Sequence, residues 1–254
     1  MTPSRAIRGQ ATKPPKFGGF VACPRIARIA LAVLALACAA PAQTGFPFKD
    51  ESLHYSINWP SGLSVGEAAF SAHRAEAGWD FEMSLNAGIP GFSVADKIRS
   101  SASAELCSKD LDRDISQGSR KSREKTTFDQ KKGTARRVTT LPDGGGKTDF
   151  DVPACARDAL TFLYYARREL GQGRVPSQQQ VYYGSAYSVR MEYTGAQTIR
   201  SGDRPSITDR VVIYVKGPKA DFNFEAFFAR DAARTPLSIR VPLGPGTFSM
   251  DLAP

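Results

Sequence analysis

Histidine and cysteine are scarce in this chain and long apolar runs are missing, and each shortage removes a class of function. Its 254 residues hold two histidines, His54 and His73, and four cysteines. None of them falls in a Cys-x-x-Cys or His-x-x-x-His spacing, so no zinc signature is present. Histidine poverty also disposes of a tempting motif. Gly62-Leu-Ser64-Val-Gly66 spells the nucleophile elbow of α/β-hydrolases, but that motif requires a strand turning into a helix, followed by a later Asp and then a His. The only histidine after Ser64 is His73, and Ser64 lies in a turn between two strand-like segments. Ser122-Arg-Glu-Lys125 spells Ser-x-x-Lys, whose chemistry needs a helical turn; in a strand, residues three apart face opposite sides. Asp110-Leu-Asp112-Arg-Asp114 lacks the glycine and the closing glutamate of an EF-hand loop. No catalytic residue, metal or cofactor is expected on these grounds. An enzyme using scattered carboxylates ranks last among the readings.

What is present begins with an address. The first 42 residues carry Arg5, Arg8, Lys13, Lys16, Arg25 and Arg28 with no acid, then the apolar run Ile29-Ala-Leu-Ala-Val-Leu-Ala-Leu-Ala-Cys38, then small residues ending Ala40-Pro41-Ala42. A basic head, a short apolar middle and an Ala-x-Ala exit predict a signal peptide over 1–42 and periplasmic or secreted localisation after cleavage near Ala42. Lipidation at Cys38 is the less favoured exit, because Ala35 stands where a lipoprotein signal prefers leucine. The apolar run is shorter than the roughly 20 residues that span a bilayer. Removing the six cations leaves 28 basic against 25 acidic residues, a net of +3 where the whole chain has +9. The apparent basicity therefore belongs to the leader and does not argue for nucleic acid.

Residues 43–254 form one domain, with no transmembrane segment and no repeat. Cys23 and Cys38 leave with the leader, so Cys107 and Cys155 remain. A lone pair in an oxidising compartment predicts a disulfide. Period-two alternation dominates: Leu53, Tyr55, Ile57 and Trp59 alternate with polar residues, then Pro60-Ser-Gly62 turns the chain. Strands are expected at 65–74, 79–85, 97–107, 115–128 and 135–141, with a hairpin turn at Asp129-Gln-Lys-Lys-Gly133. One helix starts at the N-cap Asp158, carries Leu160, Leu163, Tyr164 and Arg167 on one spacing, and stops at Gly171. Further strands follow at 180–183, 186–193, 208–216, 222–228, 237–241 and 246–252, with 231–236 as a turn. The fold class is mainly β: about ten strands in an antiparallel sheet curled into an open barrel or clam, with one α-helix. The basic stretch 120–125, with Lys131, Lys132, Arg136 and Arg137, has one aromatic, Phe128, for stacking bases. It reads first as charge protecting a sheet edge and second as a patch for anionic lipid head groups.

Leu53-x-Tyr55-x-Ile57-x-Trp59 with Val65-Gly66, the helix Asp158-Ala-Leu160-Thr-Phe-Leu-Tyr-Tyr165-Ala-Arg167, and Asp231-x-x-Arg234-Thr-Pro236 before a Gly-x-Phe-x-x-x-Leu ending resemble an exported bacterial family, "domain of unknown function 3108". The resemblance covers nearly all of 43–254. Ala159 stands where the family usually has proline, a mild departure, since proline there only pre-sets the first turn. The resemblance implies a β-rich envelope domain without an established activity. It marks Gly66, Asp158, Tyr165, Arg167, Asp231 and Pro236 as structural positions. The aromatic segments Phe162-Leu-Tyr-Tyr165 and Phe222-x-Phe-x-x-Phe227-Phe228 are apolar enough to line a cavity. The leading expectation is thus a non-enzymatic binder of a lipid-like or other apolar component. The alternative is an envelope assembly protein with a protein partner, acting through its surface or an open sheet edge.

Overall fold

The computed structural model describes residues 50–254, apart from 90, 142–144, 219 and 245; the expected leader and Cys38 lie outside the described residues. The chain opens as a meander: β1 (Asp50–Asn58), β2 (Ser64–Ala75), β3 (Gly78–Ile89), β4 (Phe92–Ala102), β5 (Ser108–Gln117), β6 (Arg120–Asp129), β7 (Thr134–Leu141) and β8 (Lys147–Asp151). A short β9 (Arg157–Asp158) leads into α1 (Ala159–Gly171). Then come β10 (Gln179–Tyr182), β11 (Ala186–Ser201), β12 (Arg204–Gly217), β13 (Ala220–Ala229), β14 (Pro236–Leu243) and β15 (Gly246–Leu252).

All fifteen strands belong to one sheet. Each of β2 to β8 pairs with its predecessor, β15 returns to pair with β1, and β15 to β9 follow in descending order. Every pairing is antiparallel except β9 with β10, which is parallel. The free sides of β8 and β9 leave the sheet unclosed. So long a sheet cannot stay flat, because each twisted strand turns the next, and it curls around its apolar face. Register sets that face. Leu53, Phe70, Met83 and Ile98 stand opposite one another across β1 to β4. Val211, Ala226, Ile239, Met250 and Ile57 form a second apolar row that crosses the β15–β1 junction.

The expectation of about ten strands undercounts, for local reasons. The stretch 115–128 is two strands, because Gly118 takes φ 59° and reverses the chain between polar flanks that show no break in alternation. The 97–107 segment stops pairing at Ala102, and 103–107 closes as a turn through a Ser103 N–H to Cys107 carbonyl bond of 2.9 Å. The hairpin at 129–133 forms as expected, with Gly133 left-handed at φ 66°. The basic strand is not an edge: β6 lies between β5 and β7. Two of its four cations are matched across the ladder, Arg123 by Asp114 at 2.6 Å and Lys125 by Asp110 at 3.5 Å, as Arg136 on β7 is by Asp149 at 2.7 Å.

The helix packs within the curl. Leu160 and Tyr164 join the core of the first eight strands, with Tyr164 stacked on Phe81 at 4.2 Å. Phe162, Ala166 and Leu170 join a second core built on β10 to β13. A single amphipathic stripe would bury one face; this helix buries both because the sheet wraps it.

Cys107 and Cys155 lie at disulfide distance, with Cα atoms 4.6 Å apart and a sequence separation of 48. The pair ties the turn after β4 to the segment that leads into the helix. Replacing both cysteines by alanine is expected to lower the unfolding free energy in urea by about 3–4 kcal/mol through the freed loop. A loss under about 1 kcal/mol would show that the link constrains nothing in the unfolded chain.

Candidate functional site

Asp158 ends β9 and caps the helix. Its Oδ1 accepts the backbone N–H groups of Leu160 at 2.9 Å and Thr161 at 3.1 Å. Its Oδ2 accepts three hydroxyls: Ser100 and Ser108, each at 2.5 Å, and Thr161 at 2.8 Å. Ser108 Oγ in turn accepts the Asp158 backbone N–H at 2.8 Å. The carboxylate is fully buried, and all its acceptor capacity serves the join between helix and sheet. It is an anchor with no lone pair left for a substrate.

Arg167 makes the second join. Its guanidinium meets Glu51 in a two-pronged pair of 2.6 and 2.7 Å, and its Nε donates to the carbonyls of Ala233 at 3.1 Å and Arg234 at 3.2 Å. The receiving turn is shaped by Asp231, whose carboxylate accepts the Thr235 N–H at 3.0 Å and hydroxyl at 2.7 Å just before Pro236. Tyr55 donates its hydroxyl to the Pro236 carbonyl at 2.7 Å. Three of the six positions marked by sequence, Arg167, Asp231 and Pro236, therefore meet at one knot between α1, β1 and the β13–β14 turn. Burial pushes the Tyr55 and Tyr164 hydroxyls well above the usual tyrosine range, against the pull of Arg167. Both stay neutral, and Tyr55 serves as a donor.

Gly66 and Tyr165 stand apart from that knot. Gly66 faces Ala87 across the ladder, where an added Cβ would sit 2.5 Å from the Ala87 Cα and closer still to the Asn86 carbonyl oxygen. Gly66→Ala is expected to cost about 2–3 kcal/mol, read as a lowered thermal midpoint, because backbone cannot yield as a side-chain tip can. A neutral result would mean that β2 and β3 can move apart freely. Tyr165 lies under the Arg157 guanidinium, 3.7 Å from its ring centre. Ser64 opens β2 as an exposed residue, far in chemistry from any triad. Among the described residues no three His, Cys, Asp or Glu come together to hold a metal ion.

Two hollows on the sheet, of about 670 and 580 Å³, are lined largely by charged side chains of β2 to β7, most of them exposed and paired with one another. An apolar cavity of about 490 Å³ lies between the helix and the sheet. From the helix come Leu160, Phe162, Leu163 and Ala166; from the first half of the sheet, Phe70, Met83 and Ile98. The far wall is Val189 and Met191 on β11, Ile213 and Val215 on β12, and Phe222, Phe224 and Phe228 on β13. Tyr183 and Tyr187 add hydroxyl-bearing rings at one end, and Arg113 stacks 3.8 Å above the Tyr183 ring. Such a lining binds hydrocarbon by excluding water and offers no charged group to activate a bond.

Phe162, Leu163, Phe222, Phe224 and Phe228 belong to the two aromatic segments singled out from sequence. Tyr164, Tyr165 and Phe227, from the same segments, do not line the cavity. Sequence reading missed the β11 and β12 contribution. Its trace was the alternation of Val189 with Met191 and of Val211, Ile213 and Val215, which marks an inner face without saying what the face meets.

The family model for a protein of unknown function, DUF3108, matches residues 54–253. The chain belongs to this family. Among solved structures, the DUF3108 domain is similar to the crystal structure of a beta-barrel-like protein of domain of unknown function DUF1849 from Brucella abortus. The two share 11% identity at a TM-score of 0.58, over 80% of this chain and 94% of the other. At that identity the likeness is one of fold. No curated protein sequence matches. Among the described residues of the DUF3108 domain, no helix is long and apolar enough to cross a membrane.

Proposed function

We propose that this DUF3108 protein is exported and binds or carries an apolar or amphipathic component of the cell envelope, without catalysing a reaction on it. The cavity between α1 and the two halves of the sheet carries this reading. Its volume falls within the range of small-molecule sites, its walls are almost wholly aliphatic and aromatic, and its polar groups gather at one end. That polarity suits a molecule with a hydrocarbon body and a polar head. Each buried methylene of such a body contributes about 0.8 kcal/mol. Export rests on the basic, apolar and small-residue order of residues 1–42, and the Cys107–Cys155 proximity suits an oxidising compartment.

The test is native mass spectrometry of residues 43–254 purified from the periplasm without denaturation. The expected result is a stoichiometric adduct that passes into organic solvent and is identified as lipid-like. Ala166→Phe, which fills the cavity from the helix, is expected to abolish the adduct while the domain stays folded. A bare protein at its calculated mass overturns the carrier reading. It favours the second reading, an assembly protein acting through an edge, for which the support is that β8 has a free side and exposes Lys147, Thr148 and Asp149.

A further inference from the structure

The strands alternate in direction, so the turns after β1, β3, β5, β10, β12 and β14 lie at one end of the sheet. Among the described residues, five of the eight exposed large apolar side chains are at that end: Leu63 at 68%, Leu243 at 54%, Phe92 at 48%, Phe222 at 42% and Ile89 at 38%. Tips of hairpins ordinarily carry small polar residues that suit tight turns and water. Leucine and phenylalanine there present apolar surface that the fold itself does not use.

The tips lie close together. A Cβ added at Gly246 would sit 2.9 Å from the Pro60 ring, which sets the β14–β15 turn beside the β1–β2 turn. Gly118 donates its N–H to the Ser93 carbonyl at 2.7 Å, and a Cβ added there would sit 3.0 Å from the Phe92 ring, which sets the β5–β6 turn beside the β3–β4 turn. Behind Leu63 and Leu243, Trp59 packs edge-on against Phe248 at 4.7 Å. Phe222 is both a wall of the cavity and an exposed rim residue, which places the opening of the cavity at this same end.

Charge at the rim has one prevailing sign. Arg120, Lys121, Lys147 and Lys216 are exposed there, against the exposed acids Glu67 and Asp221. Farther along the same strands the cations are matched by carboxylates, as Arg123 is by Asp114.

We propose that this rim docks the protein on the surface of an anionic phospholipid bilayer, with Leu63, Phe92 and Leu243 entering the boundary between head groups and acyl chains. Lys121 and Lys216 meet the phosphates. The apolar tips, the basic residues beside them and the cavity mouth share one end, and this coincidence carries the inference. An amphipathic surface binds membranes by adding buried apolar area to attraction between cations and anionic lipid. The inference deepens the carrier reading, since a cavity that opens toward the bilayer lets an apolar cargo cross without entering water.

The experiment is flotation of residues 43–254 with phosphatidylcholine vesicles containing about one quarter phosphatidylglycerol. The wild-type protein is expected to float, and Leu63→Asp with Leu243→Asp to weaken binding at least about tenfold at an unchanged melting temperature. Lys121→Glu with Lys216→Glu is expected to weaken binding about fivefold or more, and added salt to weaken the wild type in the same way. Ile207→Asp is the control, 60% exposed at the opposite end, and should float as the wild type does. A wild type that stays at the bottom, or an Ile207→Asp loss equal to that of the rim variant, overturns docking. The two proposals fail separately. A protein that holds lipid in native mass spectra but ignores vesicles keeps the carrier reading and loses this one. A bare protein that floats through its rim does the reverse.

Discussion

Replacing Asp158 by alanine is expected to destabilise the domain by about 4–6 kcal/mol, a large part of the 5–15 kcal/mol that holds a typical domain together. Two losses add. The helix loses the acceptor for its first free N–H groups, which costs about 1–2 kcal/mol. The hydroxyls of Ser100, Ser108 and Thr161, all buried, lose their common acceptor. Each buried hydroxyl left without its partner costs about 1–3 kcal/mol, less whatever the three recover by bonding to one another. Ser100 and Thr161 already stand 2.9 Å apart, so some recovery is available. Asp158→Asn should fall between, because its carbonyl oxygen still serves the helix while its amide must face the hydroxyls. Urea unfolding followed by circular dichroism reads both variants. A loss below about 1.5 kcal/mol for alanine would mean the site relaxes or takes in water, and the anchor argument would fail.

Arg167→Met is expected to cost about 3–5 kcal/mol, because it strands Glu51 as an uncompensated, nearly buried charge. The side chain of Arg167 is 0% exposed and that of Glu51 is 10% exposed, so water screens the pair little. The carbonyls of Ala233 and Arg234 lose a donor as well. Removing both charges, as Glu51→Gln with Arg167→Met, should recover part of the loss, since a buried ion pair often does no better than apolar packing of similar volume. A double-mutant cycle isolates the coupling. A coupling of about 0–1 kcal/mol, the value for exposed pairs, would mean that the knot between helix, β1 and the β13–β14 turn is held by packing alone.

These two sites differ in how much of them a linear reading reaches. Asp158 was legible as a cap, because an Asp before a run of apolar residues at helical spacing is a local signal. Two of its three hydroxyl partners were not, since Ser100 and Ser108 lie 58 and 50 residues upstream, on strands whose register only folding brings beside the helix. Arg167 was legible as a marked position through family resemblance, but its partner Glu51 sits 116 residues away. The basic stretch around Arg123 read as edge protection because charge on a strand looks the same whether the strand is outermost or inside the sheet. Only the positions of Asp110, Asp114 and Asp149 opposite those cations decided it. The missed turn at Gly118 has a simpler cause. Both flanks are polar, so alternation carries through a reversal without a visible break.

By itself the sequence determined that the described residues fold as β-strands with one helix, and where that helix begins and ends. Those properties depend on neighbours within a few residues: side-chain alternation, a cap, a glycine stop. The tertiary structure decided that β15 closes on β1, that the sheet stays open between β8 and β9, and that the helix lies inside the curl. It also decided that the walls of one cavity come from segments as far apart as Phe70 and Ile239. No local pattern encodes these outcomes. They follow from strand twist accumulated over fifteen neighbours and from a search among long-range pairings, in which burying two apolar faces against a single helix outweighs the alternatives.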